Sequence, residues 1–415
     1  MDHPQAARRI TRTLFLAQSL GSAATVAIFP IIAILGAQLS GRPSWAGVPS
    51  MVYLLGSAFS ALGWGYAMER FGRRLTLILG LSLGGVAGSL GVIAVLNQSL
   101  LIFLLGAAFT GFAVSCLQLA RFVSAEVHPP DQRARAISNV VLGGTVGAVV
   151  GPLMAGPVAR LVKQAGYDEF AGPFGVMLVL FALGALAVFA WLRPEPKELA
   201  RALGNESGGP QADGPTRSLG EIAHDRAAVV ATAAMVFGQL VMVMLMTITP
   251  LHMRGHDHAL SSISFVISTH VVGMYAFSVI SGRLADRFGR APVIVAGASV
   301  LILACLSATL SPQVLPMSVA LFLLGLGWNF CYVAGSTLLS DRLTPAERAR
   351  TQGVNDLLIG LVSAAGGLSS GIVFAAIGYG AMALVGAAAA LIPLALAAWW
   401  SARSRAVPAG VSLAK

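Results

Sequence analysis

Three side chains in this sequence have types and settings that suit proton or ion chemistry. His270 has Ser268, Thr269 and Tyr275 around it in an apolar run, where an imidazole either carries protons near neutral pH or packs as a core histidine. Asp356 stands about two turns into another apolar run and either titrates or faces basic residues of the first half of the chain. Arg121 precedes Glu126 by five residues and either snorkels to an aqueous edge or pairs with Glu69. A further cluster, HMRGHDH, brings His252, His256, Asp257 and His258 together as weak candidate metal donors, at a spacing that fits no specific metal signature. The chain has no HExxH and no P-loop, so the reading is a non-enzyme without a cofactor.

The elements that must position these residues are membrane helices. Of 415 residues, 56% are hydrophobic and only 11% are charged, too little charge to cover a globule of this size. A crossing helix needs about 20 apolar residues. The sequence predicts six spans near 14–37, 45–68, 75–96, 100–122, 134–162 and 172–192. Six more follow near 229–251, 260–284, 293–310, 315–339, 353–377 and 381–400. The fold expected is an all-α membrane protein with twelve transmembrane helices in two pseudo-symmetric six-helix bundles. Its parts are an N-terminal half 1–192, a linker 193–226, a C-terminal half 227–402 and a tail 403–415. The linker is rich in Pro, Gly and Ser and reads as a flexible tether without a site.

With both termini on one side, the far side keeps only Arg42, Arg160, Lys163 and Arg254 of the 27 Lys and Arg. That bias places the termini in the cytoplasm and the chain in an inner (plasma) membrane. It also explains the net charge of +10 without a nucleic-acid partner. Cys116, Cys305 and Cys331 fall inside spans and read as small buried residues. The run after Arg8, Arg9 and Arg12 is too long for a signal peptide and reads as a retained helix.

The halves are copies. Gly65, Glu69, Arg70, Gly72 and Arg73 follow the second span, and Gly282, Asp286, Arg287, Gly289 and Arg290 follow the eighth in the same order. PPDQRAR and TPAERAR follow the fourth and tenth spans, while Gln18 precedes Pro30 much as Gln239 precedes Pro250. In each loop a glycine allows a tight turn, and the acid and arginines can cap, anchor, or latch one side across the interface of the halves. This segment resembles the loop signature of the major facilitator superfamily, and the resemblance covers nearly the whole chain. Gly147, Gly151, Pro152 and Gly156 resemble the motif of its twelve-helix drug:proton antiporters. Gly at four-residue spacing permits close helix approach and Pro152 a bend. Where many such antiporters carry an arginine in the fourth helix, this chain has Ala107.

The resemblance implies a cavity lined by helices 1, 4, 7 and 10. Their candidates are Gln18, Ser22, Thr25, Thr110, Ser115, Gln118, Gln239, Thr247, Trp328, Asn329 and Tyr332, with Met242, Met244 and Met246 as adaptable apolar surface. So few polar groups predict a lipophilic or amphipathic substrate. The function expected is secondary active transport by alternating access, as proton-coupled efflux by a monomer. An uncoupled or import-type facilitator is the alternative, and a divalent cation transporter a minor one. The partners expected are a small-molecule substrate, protons and the lipid bilayer.

Overall fold

The computed structural model describes residues 3–129, 132–202 and 217–406. Pro130, Asp131, the middle of the linker (203–216) and the tail beyond 406 lie outside the described residues. The described chain runs α1 (His3–Ala27), α2 (Phe29–Ser40), α3 (Val48–Phe71), α4 (Arg73–Leu96), α5 (Leu100–Gln118), α6 (Ala120–Glu126), α7 (Arg133–Gln164) and α8 (Ala171–Trp191). Two short helices follow, α9 (Pro196–Ala202) and α10 (Leu219–His224). The second half holds α11 (Arg226–Arg254), α12 (Leu260–Tyr275), α13 (Ser278–Phe288), α14 (Arg290–Ala308), α15 (Val314–Asp341) and α16 (Pro345–Ala406).

Among the described residues, ten helical segments are long and apolar enough to cross a membrane, and α3, bent by 43° near residue 62, adds an eleventh. The last apolar run, Arg350–Arg403, has 54 residues. At 1.5 Å per residue it is ~80 Å long, far more than a hydrocarbon core of ~30 Å. It divides at Gly378, whose φ of +77° is outside the helical region and suits glycine. The α16 run therefore crosses twice, and the chain is a twelve-span all-helical protein.

The residues form two compact units. The first contains 1–211, 247–268 and 363–376, and the second contains 212–246, 269–362 and 377–415. In the first unit α7 lies directly on α1. A Cβ at Gly143 would come within 2.5 Å of the Phe15 carbonyl oxygen, and one at Gly147 or Gly151 would collide with the Ser19 or Ala23 carbonyl. Only a missing side chain lets backbones approach so closely. Two segments of the second repeat join this unit by related contacts. Gly156 faces the Cα of Ser261, where a Cβ would sit at 2.7 Å, and Gly371 faces the Ser44 carbonyl, where it would sit at 2.8 Å.

In the second unit α12 and α15 touch backbone to backbone at Gly273 and Gly325. The eighth span breaks between Tyr275 and Ser278, which frees backbone carbonyls inside an apolar layer. Asn329 of α15 donates to the Met274 carbonyl at 2.6 Å and to the Ser278 hydroxyl at 2.8 Å, and it also bonds Ser281. The break is thus satisfied by one buried amide. At the linker end, Trp399 lies near the guanidinium groups of Arg226 (5.7 Å) and Arg403 (4.6 Å), and Trp400 lies 5.5 Å from Arg342. Aromatic rings beside cations are the usual residents of the membrane–water boundary.

The linker reading needs correction at both ends. Glu195 accepts from the backbone N–H of Arg73 at 2.6 Å and caps the start of α4, where the helix dipole favours an anion. Lys197 donates to the Glu69 carbonyl, and Arg9 to the Arg193 carbonyl. At the other end, Arg217 forks onto Glu347 at 3.0 and 2.9 Å, and Ser218 with Glu221 closes a capping box on α10. The segment is anchored on each side by specific bonds, not a free tether along its length.

Candidate functional site

The two glycine-containing loops build the same device twice. Gly72 and Gly289 adopt φ of +87° and +92°, a region open to glycine, and each starts the next helix. One residue on, Arg73 pairs with Glu126 at 3.0 Å and donates to the Met68 carbonyl at 3.0 Å. Arg290 pairs with Asp341 at 2.9 Å and donates to the Ala285 carbonyl at 2.9 Å. Each arginine therefore clamps the end of the preceding span to the end of the span two further along in its own half, α3 to α6 and α13 to α15. Asp286 adds a contact to Arg290 at 3.2 Å. Glu69, its match, is exposed, and it is its carbonyl that Lys197 engages. Arg70 and Arg287 lie against the rings of Phe71 and Phe288. Within each half, these arginines thus meet both a helix-end carbonyl and an acid. The partners Glu126 and Asp341 were missed, although both stand at matching places ahead of the two Arg-Ala-Arg segments.

Arg121 does not pair with Glu69. Its guanidinium lies 4.8 Å from the Phe122 ring, and Nε is buried without a hydrogen-bond partner. Asp356 is exposed on its helix surface, not buried, and has an interaction of its own. His270 is fully buried, with Nδ1 donating to the Leu321 carbonyl at 2.8 Å and Nε2 left without a partner. It bridges α12 and α15, as a core histidine does. Ala107 lines a small apolar cavity of about 10 Å³ with Phe103 and Phe174, room for one water at most.

Among the cavity candidates, the structure brings together those of the second unit. Trp328 and Tyr332, one turn apart on α15, stack with ring centres 5.0 Å apart and planes at 20°. Tyr275 meets Trp328 edge-on at 6.2 Å, and the indole N–H donates to Gln239 Oε1 of α11 at 2.7 Å. All four are incompletely buried, so part of this stacked aromatic face and its amide edge is exposed. Tyr275 was not foreseen as part of it, because the break after α12, which carries it there, leaves no Pro or Gly in the sequence. Asn329 is a correction: it is 2% exposed and spent on the helix break. Met242 and Met244 are buried in the core, and the Thr25 and Thr110 hydroxyls bond back to Gly21 and Gly106 carbonyls. Gln18 is half-buried and Gln118 exposed.

The histidine loop is built around a salt bridge. Arg254 meets Glu169 at 2.6 Å, with Lys163 at 3.7 Å from the same carboxylate. His252 and His256 pack ring to ring at 4.5 Å. Among the described residues, no three His, Cys, Asp or Glu are placed to hold a metal ion.

Comparison with known proteins fits this architecture. The family model described as Major Facilitator Superfamily matches residues 14–261 and 240–415. The chain is 35% identical over 395 residues to the MFS-type transporter YdeG of Bacillus subtilis, covering 94% of this chain and 91% of that one. It is 32% identical over 359 residues to the riboflavin transporter RfnT of Brucella anthropi, covering 86% and 87%. The crystal structure of the nucleoside transporter NupG superposes with a TM-score of 0.70 at 17% identity, over 98% of this chain and 100% of that one, a likeness of fold. With twelve spans in two copied halves, this multi-pass membrane protein is a transporter and not an enzyme, and it belongs to the major facilitator superfamily.

Proposed function

We propose that the protein carries a planar, amphipathic small molecule that stacks on the Trp328–Tyr332 face and hydrogen-bonds at its edge to Gln239. The stacked pair with its amide is the observation that carries this reading. A flat π-system gains from stacking on such a surface, and its polar rim gains from an amide that can both donate and accept. No charged side chain belongs to this group of four, which favours a neutral or weakly charged ring system over a sugar acid or dicarboxylate. The likeness to a riboflavin transporter along most of both chains supports the same substrate class.

Proton-coupled efflux is a second reading. It is supported by the Gly147–Gly156 segment, which the structure builds as a tightly packed helix with Pro152 and Pro157 inside. One experiment addresses both. Purified protein in proteoliposomes is given riboflavin, a nucleoside, or xylose, under pH gradients of either sign. Quenching of flavin fluorescence reports stacking. We expect saturable flavin transport that Trp328→Ala weakens by about tenfold. A flux that follows the sign of the pH gradient supports proton coupling, and one indifferent to it removes coupling. Xylose carried as well as the flat rings, or Trp328→Ala without effect on any of them, would overturn the aromatic platform.

A further inference from the structure

Three arginines of the first unit converge on one end of α8. The guanidinium of Arg9, near the start of α1, donates to the Arg193 carbonyl just past α8. That of Arg74, at the start of α4, donates to the Phe189 carbonyl at 2.6 Å and lies 5.3 Å from the Phe189 ring. Residues 189 and 193 are four apart, at most about 14 Å along a fully extended chain, so both side chains are held to one corner. Arg193 adds a third guanidinium there. Its side chain is exposed and makes no bond among the described residues.

Capping a helix end does not balance these charges. The carbonyl end of a helix carries about half a negative charge. Among the described residues, none of Arg9, Arg74 and Arg193 forms an ion pair. The acid that reaches the corner is Glu195, and it accepts the backbone N–H groups of Arg73 at 2.6 Å and Arg74 at 3.4 Å. Counting Glu195 in full, and letting the opposed ends of α4 and α8 cancel, leaves roughly two positive charges without a counter-ion. Each guanidinium has five N–H donors, and Arg9 and Arg74 each spend one on a carbonyl. Their remaining outer nitrogens are free to meet an anion.

The surroundings fix where that anion comes from. Leu75 follows Arg74 directly, and the outward surface of α4 and α8 continues through Leu79, Leu186, Phe189 and Trp191. Phe189 and Trp191 are each 54% exposed, as side chains facing hydrocarbon are in a membrane helix. The basic corner thus stands where a lipid-facing apolar surface ends. We propose that it binds the headgroup of an anionic phospholipid, with the phosphodiester at Arg9, Arg74 and Arg193 and the acyl chains along α4 and α8. Basic pockets between membrane helices bind such headgroups, and a surplus of about two charges matches a lipid with two phosphates better than one with a single phosphate. This site is independent of the Trp328 platform.

The test is native mass spectrometry of the full chain in detergent micelles, titrated with cardiolipin, phosphatidylglycerol or phosphatidylcholine. We expect one saturable cardiolipin, weaker phosphatidylglycerol and no saturable phosphatidylcholine. Arg193→Gln is the cleanest variant, since residue 193 keeps its carbonyl bond to Arg9. It should weaken cardiolipin binding about fivefold, and Arg9→Gln with Arg193→Gln about 25-fold. Arg193→Lys, which keeps the charge, should retain binding, and thermal unfolding without added lipid confirms that each variant is folded. Arg403→Gln removes an arginine beside a different aromatic residue, Trp399, and should leave binding unchanged. Cardiolipin binding that survives Arg193→Gln and the double variant, or that falls equally with Arg403→Gln, would overturn the site. Displacement of the lipid by inorganic phosphate would overturn its assignment to a lipid.

Discussion

Arg73 and Arg290 occupy matched positions but different surroundings, and the difference sets what each is worth. The Arg73 side chain is 7% exposed against a Glu126 that is 25% exposed, whereas Arg290 and Asp341 are 27% and 47% exposed. Removing one partner of a buried pair leaves an uncompensated charge, at about 3–5 kcal/mol, while an exposed pair contributes about 0–1 kcal/mol. Arg73→Ala should therefore lower the unfolding temperature in detergent well beyond Arg290→Ala. A second residue-scale expectation concerns Glu347. The Arg217 hydrogen bond, with backbone N–H bonds from Thr344 and Arg217, holds its carboxyl far below the usual carboxylate range. A depressed folded-state pKa stabilises at neutral pH, and that stability is lost as pH falls below the unfolded value of about 4.3. The gap in unfolding temperature between wild type and Glu347→Gln should be open at pH 7 and narrow steadily toward pH 3. At this scale the sequence named Arg290 together with Asp286, but not the partners Glu126 and Asp341. An ion pair joins residues far apart in the chain, and spacing along one helix carries no sign of it.

Among the elements, glycine spacing was the most legible feature. Gly147 and Gly151 announced a close helix contact, and α7 lies on the α1 backbone at those residues. Gly147→Val should cost about 1–3 kcal/mol or more, because a rigid carbonyl and not a flexible side chain blocks the new methyls. Reduced yield of folded protein after detergent extraction is the measurement. The break in the eighth span was not legible, since Tyr275-Ala-Phe-Ser278 contains no helix breaker. Its cause is tertiary: Asn329 supplies the donors that a broken helix lacks. Asn329→Leu removes those donors at about 1–3 kcal/mol for the buried carbonyl left behind, and it should slow transport by letting the bend straighten. An unchanged melting temperature would show that the break does not depend on that amide.

For the molecule as a whole, the count of twelve spans and the duplication were readable because both are written in long apolar blocks and repeated motifs. The grouping into units was not, because 247–268 and 363–376 join the first unit through contacts of small residues that hydropathy does not distinguish. Glu169 ties the first of these segments down through Arg254 and Lys163. Glu169→Gln should raise the reaction rate of a Ser261→Cys reporter with an impermeant maleimide several-fold, on a background where Cys116, Cys305 and Cys331 are buried. The girdle of Trp399 and Trp400 with Arg226, Arg342 and Arg403 bears on a different property, the depth at which the protein floats. Rings and cations bound to each other resist leaving the headgroup layer, so the last span is pinned at one end. A change in bilayer thickness must then be absorbed by tilting elsewhere. Lipid chain length thereby becomes a means of setting the transporter's turnover, to be read as flux in bilayers of different acyl chains.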